Sequence, residues 1–358
     1  MDAQTDGRTE DRAGGQAARF PAAAPLAPGD EHVQVTARSE IAAGVVSLTL
    51  ARPDGGRLPD WTPGSHIDLI LPTGAVRQFS LCGDRWDPYT YQVAVLREPD
   101  GRGGSQYVHD QLAVGDVVGF GGPRNNFPLV PSARYLFIAG GIGITPLLPM
   151  IVQADRLGAD WELAYCGRSR ASMAFADQLA GYGRRVRILA ASAADPADPG
   201  PAHPGPGPAQ QARRLDVTAE LASNDPARKV YCCGPPRLLT PVEHAARAWP
   251  PGTLRTERFV ARELGAPARD TPFEVYLLRS GKVVTVPPGI SVLEAVAAAG
   301  SRILSSCRQG LCGTCETAVA AGTPDHRDSI LDDDERSGGD CMFVCVSRSL
   351  SDRLVLDL

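Results

Sequence analysis

The feature that most constrains this chain is the spacing of its last cysteines. Cys307 and Cys312 are separated by four residues, Cys312 and Cys315 by two, and Cys345 follows after a further 29. This is the plant-type arrangement of ligands to a [2Fe–2S] cluster, in which one tight loop supplies three thiolates. A four-cysteine zinc site usually shows two separate C-x2–4-C pairs, whereas here both pairs share Cys312. The spacing therefore predicts a [2Fe–2S] cluster.

The surroundings of these cysteines agree with metal chemistry rather than disulfide formation. Gly310 and Gly313 lie inside the cysteine loop, where they permit unusual φ angles and a close approach of the backbone to a cluster. The first 30 residues contain no apolar segment that would serve as a secretory signal. We therefore expect a cytoplasmic protein, a compartment in which structural disulfides are rare.

The region from His32 to about Val130 reads as a small antiparallel β-barrel or sandwich. Short apolar or alternating runs are separated by clusters of Gly, Pro and Asp, which is typical of strands joined by turns. The predicted strands are Val33–Ala37, Val45–Leu50, His66–Leu71, Val76–Leu81, Tyr91–Leu96 and Val117–Gly119.

The pattern then changes to strands that alternate with helices, which predicts a parallel, doubly wound α/β domain. The predicted strands are Arg134–Ala139, Trp161–Tyr165, Val186–Ala190 and Lys229–Cys232, and the predicted helices lie near Ser172–Leu179, Val217–Leu221 and Arg237–Trp249. A third unit follows with strands Phe273–Arg279 and Lys282–Val286, a helix at Val292–Ala299 and the cysteine segment.

Length and composition fit this division into three domains. The chain has 358 residues, of which 43% are hydrophobic, enough for several cores. We expect a disordered tail at 1–30, domains at 31–131, 132–262 and 271–358, and a flexible Pro-rich loop at 191–213. The net charge of −5 gives no footprint for nucleic acid. The sequence contains no run of 18 apolar residues, so it predicts no membrane-spanning helix.

Two segments of the predicted barrel suit a phosphorylated ligand. In the strand that contains Arg77, Gln78, Phe79 and Ser80, a cation and a hydroxyl lie three residues apart, so they can meet the two ends of one ligand. An arginine on a solvent face explains the same pattern without a ligand. The turn Arg102-Gly103-Gly104-Ser105 adds backbone N–H groups that suit a phosphate.

Two further turns suit a dinucleotide. The segment Gly140-Gly141-Ile142-Gly143-Ile144-Thr145 follows a strand and opens a helix, where glycines let the backbone approach a pyrophosphate. It lacks the last glycine of G-x-G-x-x-G, so on its own it is only suggestive. Cys233-Gly234-Pro235 follows another strand, and its thiol is equally compatible with an ordinary buried cysteine.

Taken together, these motifs resemble one known family. Residues 273–358, with SSCRQGLCGTCETAV, DHRDSIL and the closing CVSR, look like the ferredoxin domain of the phthalate dioxygenase reductase and vanillate O-demethylase reductase family. The resemblance extends back to about residue 33 and implies an FMN-binding barrel, an NAD(P)-binding α/β domain and a β-grasp-like [2Fe–2S] ferredoxin domain. It also favours Cys345 over Cys341 as the fourth cluster ligand, because Cys345 directly precedes Val346-Ser347-Arg348.

The resemblance assigns roles to the residues of these motifs. Arg77 and Ser105 would meet the FMN phosphate, and Ser80 and Cys233 would approach the flavin ring and the nicotinamide as catalytic residues. Thr145 and Phe259 would lie near the flavin. The full set of expected cofactor-binding residues is Arg77, Gln78, Phe79, Ser80, Ala94, Val95, Leu96, Arg102, Gly103, Gly104, Ser105, Gly140, Gly141, Gly143, Thr145, Arg168, Cys233, Gly234, Pro235 and Phe259.

The choice of nucleotide rests on two opposed signals. An acidic residue after the second strand of such a domain usually binds the ribose of NAD, and a basic one suits the phosphate of NADP. Here the strand leads into Gly167, Arg168, Ser169 and Arg170 with no acid, which favours NADPH, whereas the family favours NADH. We expect NADH, with NADPH as the alternative.

The order of the motifs predicts an electron-transfer chain from NADH through FMN and the cluster to a terminal oxygenase, which the resemblance implies is of the Rieske type. A haem-thiolate monooxygenase is an alternative partner, and a non-catalytic redox sensor is an alternative function. The chain itself does not read as an oxygenase, because its six histidines are scattered and no C-x-H pair is present.

Overall fold

The computed structural model describes residues 31–192, 214–222, 225 and 227–358. The predicted tail at 1–30 and nearly all of the predicted loop at 191–213 lie outside the described residues. The strands are β1 (His32–Ala42), β2 (Val45–Ala51), β3 (His66–Ile70), β4 (Val76–Ser80), β5 (Thr90–Leu96), β6 (Val117–Arg124), β7 (Arg134–Gly140), β8 (Asp160–Gly167), β9 (Val186–Ala190), β10 (Arg228–Cys233), β11 (Leu254–Glu257), β12 (Phe273–Leu277), β13 (Lys282–Val286), β14 (Glu316–Ala321), β15 (Pro324–Asp325), β16 (Cys341–Phe343), β17 (Arg348–Ser349) and β18 (Arg353–Leu356). The helices are α1 (Gly104–Asp110), α2 (Ile144–Arg156), α3 (Ala176–Ala180), α4 (Val217–Leu221), α5 (Pro236–Ala246), α6 (Val292–Ala298) and α7 (Asp333–Gly338).

The first unit, here called the barrel unit, is an antiparallel sheet with strand order β4-β3-β6-β1-β2-β5. A bridge between Leu81 and Val93 joins its two edge strands and closes the barrel. Alternate residues such as Ile67, Leu69 and Val93 point inward and are fully buried, as the period of two along a strand requires. The predicted antiparallel barrel is confirmed.

The second unit, the parallel-sheet unit, has strand order β11-β10-β7-β8-β9, and all of its paired strands are parallel. Side chains alternate along β7, so its neighbouring residues belong to two different apolar cores. Phe137 packs with α2 and α3 on one face, and Leu136 and Ile138 pack with α4 and α5 on the other. The predicted doubly wound α/β domain is confirmed, with β11 as an edge strand that the sequence did not predict.

The third unit, the C-terminal unit, has a mixed sheet with strand order β13-β12-β18-β14-β16 and its own apolar core, to which α6 contributes Val292 and Val296. The helix α6 begins at a capping box, in which Ser291 and Glu294 satisfy each other's backbone N–H groups. Such a small mixed sheet with one crossing helix fits the predicted ferredoxin domain.

The connection between β11 and β12 is bonded to the C-terminal unit. The N–H of Arg262 donates to Ser329 Oγ at 3.1 Å, and the N–H of Ala268 donates to Asp325 Oδ2 at 3.2 Å. Arg327 donates to the carbonyl of Gly265 at 2.5 Å. These bonds give the connection a defined course. In the part of the chain described here, no helix is both long and apolar enough to cross a membrane.

Candidate functional site

The two glycine turns of the parallel-sheet unit meet at one edge of its sheet. β7 and β10 are neighbours, and the chain continues from β7 to β8 on one side and reaches β10 on the other. The carboxyl ends of strands at such a switch point form the usual ligand crevice of an open α/β sheet. The turns at Gly140–Gly143 and Cys233–Pro235 both lie there. The structure therefore brings these two predicted segments together.

Glycine is required where these turns touch. A Cβ on Gly143 would lie 2.3 Å from the carbonyl oxygen of Cys233, and one on Gly140 would lie 2.7 Å from Pro235. Gly141 has a φ of 54°, in the left-handed region. Thr145 is buried, and its hydroxyl donates to the carbonyl of Ile142 at 2.9 Å. The structure thus places the hydroxyl of Thr145 inside the turn.

Cys233 is fully buried, and its Sγ lies 3.9 Å from Oε2 of Glu257 at the end of β11. Burial raises the pKa of the Cys233 thiol well above its usual value. Burial also raises the pKa of the Glu257 carboxyl to about 8. Burial thus favours the neutral forms of both groups.

A cavity lies where all three units meet. The barrel unit supplies His66, Arg77, Gln78, Ser80 and Arg102; the end of β11 and the residues after it supply Glu257, Arg258 and Phe259; the C-terminal unit supplies Gln309 and Leu311. Eight of these ten residues are polar or charged, and Phe259 is an aromatic side chain that is 39% exposed. A planar ring with a polar edge fits such a lining.

Arg77 and the glycine turn after β5 form one end of this cavity. Arg77 donates to the carbonyl of Arg102 at 2.5 Å. A Cβ on Gly104 would lie 2.3 Å from Nε of Arg77, so only glycine leaves room for that side chain. Gly103 has a φ of 77°. The predicted pairing of Arg77 with this turn is therefore present, and it forms a cationic cradle that suits a phosphate.

Other predicted contacts in the barrel lie differently in the structure. The hydroxyl of Ser105 accepts from the backbone N–H of Glu98 at 3.1 Å. Phe79 and Val95 point into the barrel core, so their side chains face away from the cavity. Ala94 and Leu96 lie on the other face of β5 from Val95, and they pack toward the parallel-sheet unit. Alternation along a strand requires this division.

The four predicted cluster ligands are all buried, at Cys307, Cys312, Cys315 and Cys345. The residues Cys307–Cys315 are called the cluster loop below. The thiols form two hydrogen-bonded pairs, which lower the pKa values of Cys312 and Cys315 and raise those of Cys307 and Cys345. Two pairs of thiolates, one pair for each iron, are what a [2Fe–2S] cluster requires.

The backbone of the cluster loop also fits a sulfur-ligated cluster. The N–H groups of Gln309 and Leu311 point at Cys307 Sγ, at 3.3 and 3.5 Å, and such bonds tune the potential of iron–sulfur clusters. Among the described residues, no three His, Cys, Asp or Glu side chains surround a position for a single metal ion. The geometry of the donor set is that of two pairs.

Cys341 occupies a different environment from Cys345. It lies on β16, opposite Ala318 of β14, and is partly exposed. Burial raises its pKa to about 11, and the nearby Glu316 contributes. Cys345 instead shares a hydrogen bond with Cys315. This arrangement favours Cys345 as the fourth ligand.

Sequence reasoning missed several residues around the cavity. His66 and Asp68 lie on β3, Arg124 ends β6, and Glu257 ends β11. Burial, with Arg124 as a second cause, lowers the pKa of His66 to about 4. The alternating run His66-Ile67-Asp68-Leu69 places His66 and Asp68 on one face of a strand, but it does not show what covers that face.

The basic residues after β8 differ in their surroundings. Arg170 forms an ion pair with Asp177 at 2.7 Å, whereas Arg168 is exposed directly beyond the strand end. Arg168 is thus the better placed of the two to meet the ribose end of a bound dinucleotide.

Comparison with known proteins agrees with this geometry. The family described as 2Fe-2S iron-sulfur cluster binding domain matches residues 275–349. Phenoxybenzoate dioxygenase subunit beta of Ectopseudomonas oleovorans is 40% identical over 94% of this chain and 99% of its own length. Vanillate O-demethylase oxidoreductase of Pseudomonas sp. (strain HR199 / DSM 7063) is 39% identical over 91% of this chain and 99% of its own length.

The solved structure of phthalate dioxygenase reductase is 37% identical, with a TM-score of 0.63, and the match covers 92% of this chain and 98% of that one. The chain belongs to the phthalate dioxygenase reductase family. Its relatives are named as reductases, several of them of oxygenase systems such as phthalate dioxygenase and carnitine monooxygenase. The chain is therefore an oxidoreductase with a [2Fe–2S] domain, and not a non-catalytic redox sensor.

A second solved structure is similar over the same length. An intact type IV self-sufficient cytochrome P450 monooxygenase matches with a TM-score of 0.82 and 39% identity over 94% of this chain. The match covers 43% of the P450 chain, so this chain spans less than half of that longer protein. The reductase fold of the family therefore also occurs fused to a haem enzyme.

Proposed function

We propose that this protein takes electrons from NADH and delivers them, through FMN and a [2Fe–2S] cluster, to a Rieske-type terminal oxygenase that hydroxylates aromatic rings or removes O-methyl groups. The observation that carries the proposal is the cavity whose wall is shared by all three units. A ligand in that cavity would touch the end of β11 beside the nucleotide crevice and also the cluster loop. FMN accepts two electrons from NADH and releases them singly.

Within this proposal, the domain limits are 31–131 for FMN, 132–262 for the nucleotide and 271–358 for the cluster. Arg77 and the turn Arg102–Ser105 hold the phosphate of FMN through a guanidinium and backbone N–H groups. Ser80 is buried beside the cavity and donates a hydrogen bond to the ring edge. The glycine turns of the crevice approach the dinucleotide, and the neutral Cys233 lies beside the nicotinamide.

NADH is the proposed nucleotide. The ion pair with Asp177 engages Arg170, which leaves Arg168 as the basic residue best placed near the ribose. Selectivity should therefore be modest, on the order of 1–3 kcal/mol in kcat/KM. A strong preference for NADPH that disappears in Arg168→Ala would reverse this choice.

A Rieske partner is supported by potentials and by the names of relatives. Plant-type clusters lie near about −400 mV and Rieske centres at about −150 mV or above, so transfer in this direction is favourable. Relatives include reductases named for phthalate dioxygenase, carnitine monooxygenase and vanillate O-demethylase systems. The similarity to the P450 chain makes a haem-thiolate monooxygenase the second candidate partner.

The test is to purify the full chain, measure its cofactors and supply both kinds of acceptor. We expect FMN, two irons per chain, and reduction of a Rieske oxygenase encoded beside the reductase. FAD in place of FMN, or zinc in place of iron, would contradict the cofactor assignment. Rapid reduction of a haem-thiolate acceptor without reduction of the Rieske protein would favour the second candidate.

A further inference from the structure

The outer face of the barrel carries buried polar residues that a barrel alone does not explain. Along β3, Ile67 and Leu69 point into the barrel core and are fully buried. His66 and Asp68 point the opposite way, toward the outside of the barrel, yet they are only 5% and 6% exposed. Polar side chains on an outer face are normally solvated, so another part of the chain must cover them.

The cluster loop and the residue before it provide this cover. Gln78, opposite Asp68 on the neighbouring strand β4, donates through Nε2 to Asp68 Oδ1 at 2.6 Å and to Ser306 Oγ at 2.6 Å. Ser306 directly precedes the cluster ligand Cys307. One amide thus joins the flavin-side barrel to the cluster loop across 228 positions in sequence.

Arg124 makes a second connection. The Nη2 atom of Arg124 lies 2.7 Å from Asp68 Oδ2 in an ion pair, and its Nε donates to the carbonyl of Cys312 at 3.4 Å. The Asp68 side chain is 8% exposed and the Arg124 side chain 26%. Asp68 therefore organises both connections, with one oxygen toward Gln78 and the other toward Arg124. These three residues, Asp68, Gln78 and Arg124, are called the latch.

We propose that the latch positions the cluster loop against the barrel and thereby fixes the distance over which electrons pass from the cavity to the cluster. The proposal rests on the function proposed above, because it assigns the latch to the flavin-to-cluster step of that reaction. Electron-transfer rates fall steeply with distance, so a small displacement of the cluster loop should slow this step and leave the nucleotide crevice unaffected. Asp68 and Arg124 are positioning residues, since neither lines the cavity.

A polar latch determines one register, which an apolar contact would not. Buried polar groups are stable only when each finds its partner, so a shifted loop would leave Gln78 without Ser306 and Arg124 without the carbonyl of Cys312. Asp68 acts through these two residues, because it holds both side chains in place from the barrel side. Removing the charge of Asp68 should therefore weaken the docking without changing the shape of the face. The loss of one hydrogen bond to a charged group changes an equilibrium by about tenfold or more.

The test compares Asp68→Asn with the wild-type holoprotein by amide hydrogen exchange and by rapid mixing with NADH. We expect exchange in the cluster loop to rise by up to about tenfold, because Gln78 and Arg124 lose the charged partner that holds them toward the loop. The rate of flavin reduction by NADH should stay unchanged, and the rate of cluster reduction should fall. Arg124→Gln should act in the same way, and Arg124→Lys, which keeps the charge, should act less.

The matched control is Asp225→Asn. Asp225 also forms an ion pair, with Arg134 at 2.6 Å, but this pair lies at the amino ends of β7 and β10, the sheet edge opposite to the glycine turns. The Asp225→Asn substitution should change neither the hydrogen exchange of the cluster loop nor the rate of cluster reduction. Ser306→Ala, which removes one hydrogen bond to Gln78, is the second variant if Asp68→Asn folds poorly, and it should give a smaller shift in the same direction.

Two results would overturn the proposal. Unchanged exchange in the cluster loop of a folded Asp68→Asn or Ser306→Ala protein would show that the latch does not hold the loop. Increased exchange with an unchanged rate of cluster reduction would show that the latch has no positioning role. If the wild type lacked FMN or the cluster, the proposed function would fail instead, while the exchange measurement would still report on the latch.

Discussion

The barrel unit contacts its two neighbours through interfaces of opposite character. Toward the parallel-sheet unit, Val45, Ala94 and Phe127 of the barrel side belong to one continuous apolar core with residues of β7 and α2. Toward the C-terminal unit, the latch makes hydrogen bonds from Gln78 to Ser306 and from Arg124 to the carbonyl of Cys312, and the ion pair with Asp68 supports them from the barrel side. Apolar interfaces of the first kind resemble a divided core, and polar ones of the second kind resemble transient contacts. We infer that the first two units form one cooperative body and that the third docks on it.

Removal of the C-terminal unit should give the largest effect, because it should abolish reduction of the oxygenase while reduction of ferricyanide by NADH remains. A chain that ends after Gly265 keeps the complete apolar interface, so it should fold and still reduce ferricyanide with NADH. It should not reduce the oxygenase, because the cluster is absent. Both activities are measured in steady state. Full oxygenase reduction by this fragment would show that the cluster is not on the path.

Replacement of the fourth cluster ligand should affect the C-terminal unit alone. Cys345→Ser should lose the cluster or make it labile, since one iron would keep a single protein thiolate. Cys341→Ser is the matched control, and it should keep iron and the visible spectrum because Cys341 lies apart from the two thiol pairs. Iron content of both variants decides the assignment. Loss in Cys341→Ser with retention in Cys345→Ser would reverse it.

Truncation of an aromatic residue in the apolar interface should destabilise the first two units together. Phe127 is buried, and its ring packs edge-on against Tyr231 with centroids 5.4 Å apart. Phe127→Ala should lower the free energy of unfolding by about 3–5 kcal/mol. Leu157→Ala, at an exposed apolar residue of the parallel-sheet unit, should change it by less than about 0.5 kcal/mol. Equal effects in a denaturant titration would contradict a shared core.

A pH dependence of stability is expected at Glu257, where the two interfaces approach each other. Its pKa of about 8 in the folded protein lies above the ordinary value of 4.5. The neutral form therefore favours folding below pH 4.5, and that contribution is lost as pH rises through about 8. Glu257→Gln should flatten this slope in unfolding experiments. If the free energy of unfolding fell equally with pH in the wild type and in Glu257→Gln, the pH dependence would belong to other groups.

How far the sequence predicts this molecule depends on the range of the interactions. Strands such as β9 and helices such as α4 follow from local periodicity, and the predicted bounds Val186–Ala190 and Val217–Leu221 agree with the structure. The four predicted cluster ligands follow from spacing, because three of them lie within one loop. Both signals are local in sequence, so a single chain suffices to read them.

The docking face could not be predicted in this way. Alternation correctly places His66 and Asp68 outside the barrel, but their burial depends on Ser306 and Cys312, which lie more than 200 positions away. The same alternation, applied to β4 and β5, would have shown that the side chains of Phe79 and Val95 face the core. The hydroxyl of Ser105 is another example, since its bond to Glu98 depends on the shape of the turn.

Rapid anaerobic mixing with NADH tests most directly whether the flavin proposed for the cavity passes electrons to the cluster before they leave the protein. In the wild type, flavin absorbance should fall first and cluster absorbance should follow, and only then should an added oxygenase be reduced. In Cys345→Ser the first phase should remain at its normal rate, while the second phase and the reduction of the oxygenase disappear. Oxygenase reduction at the wild-type rate in that variant would contradict the account.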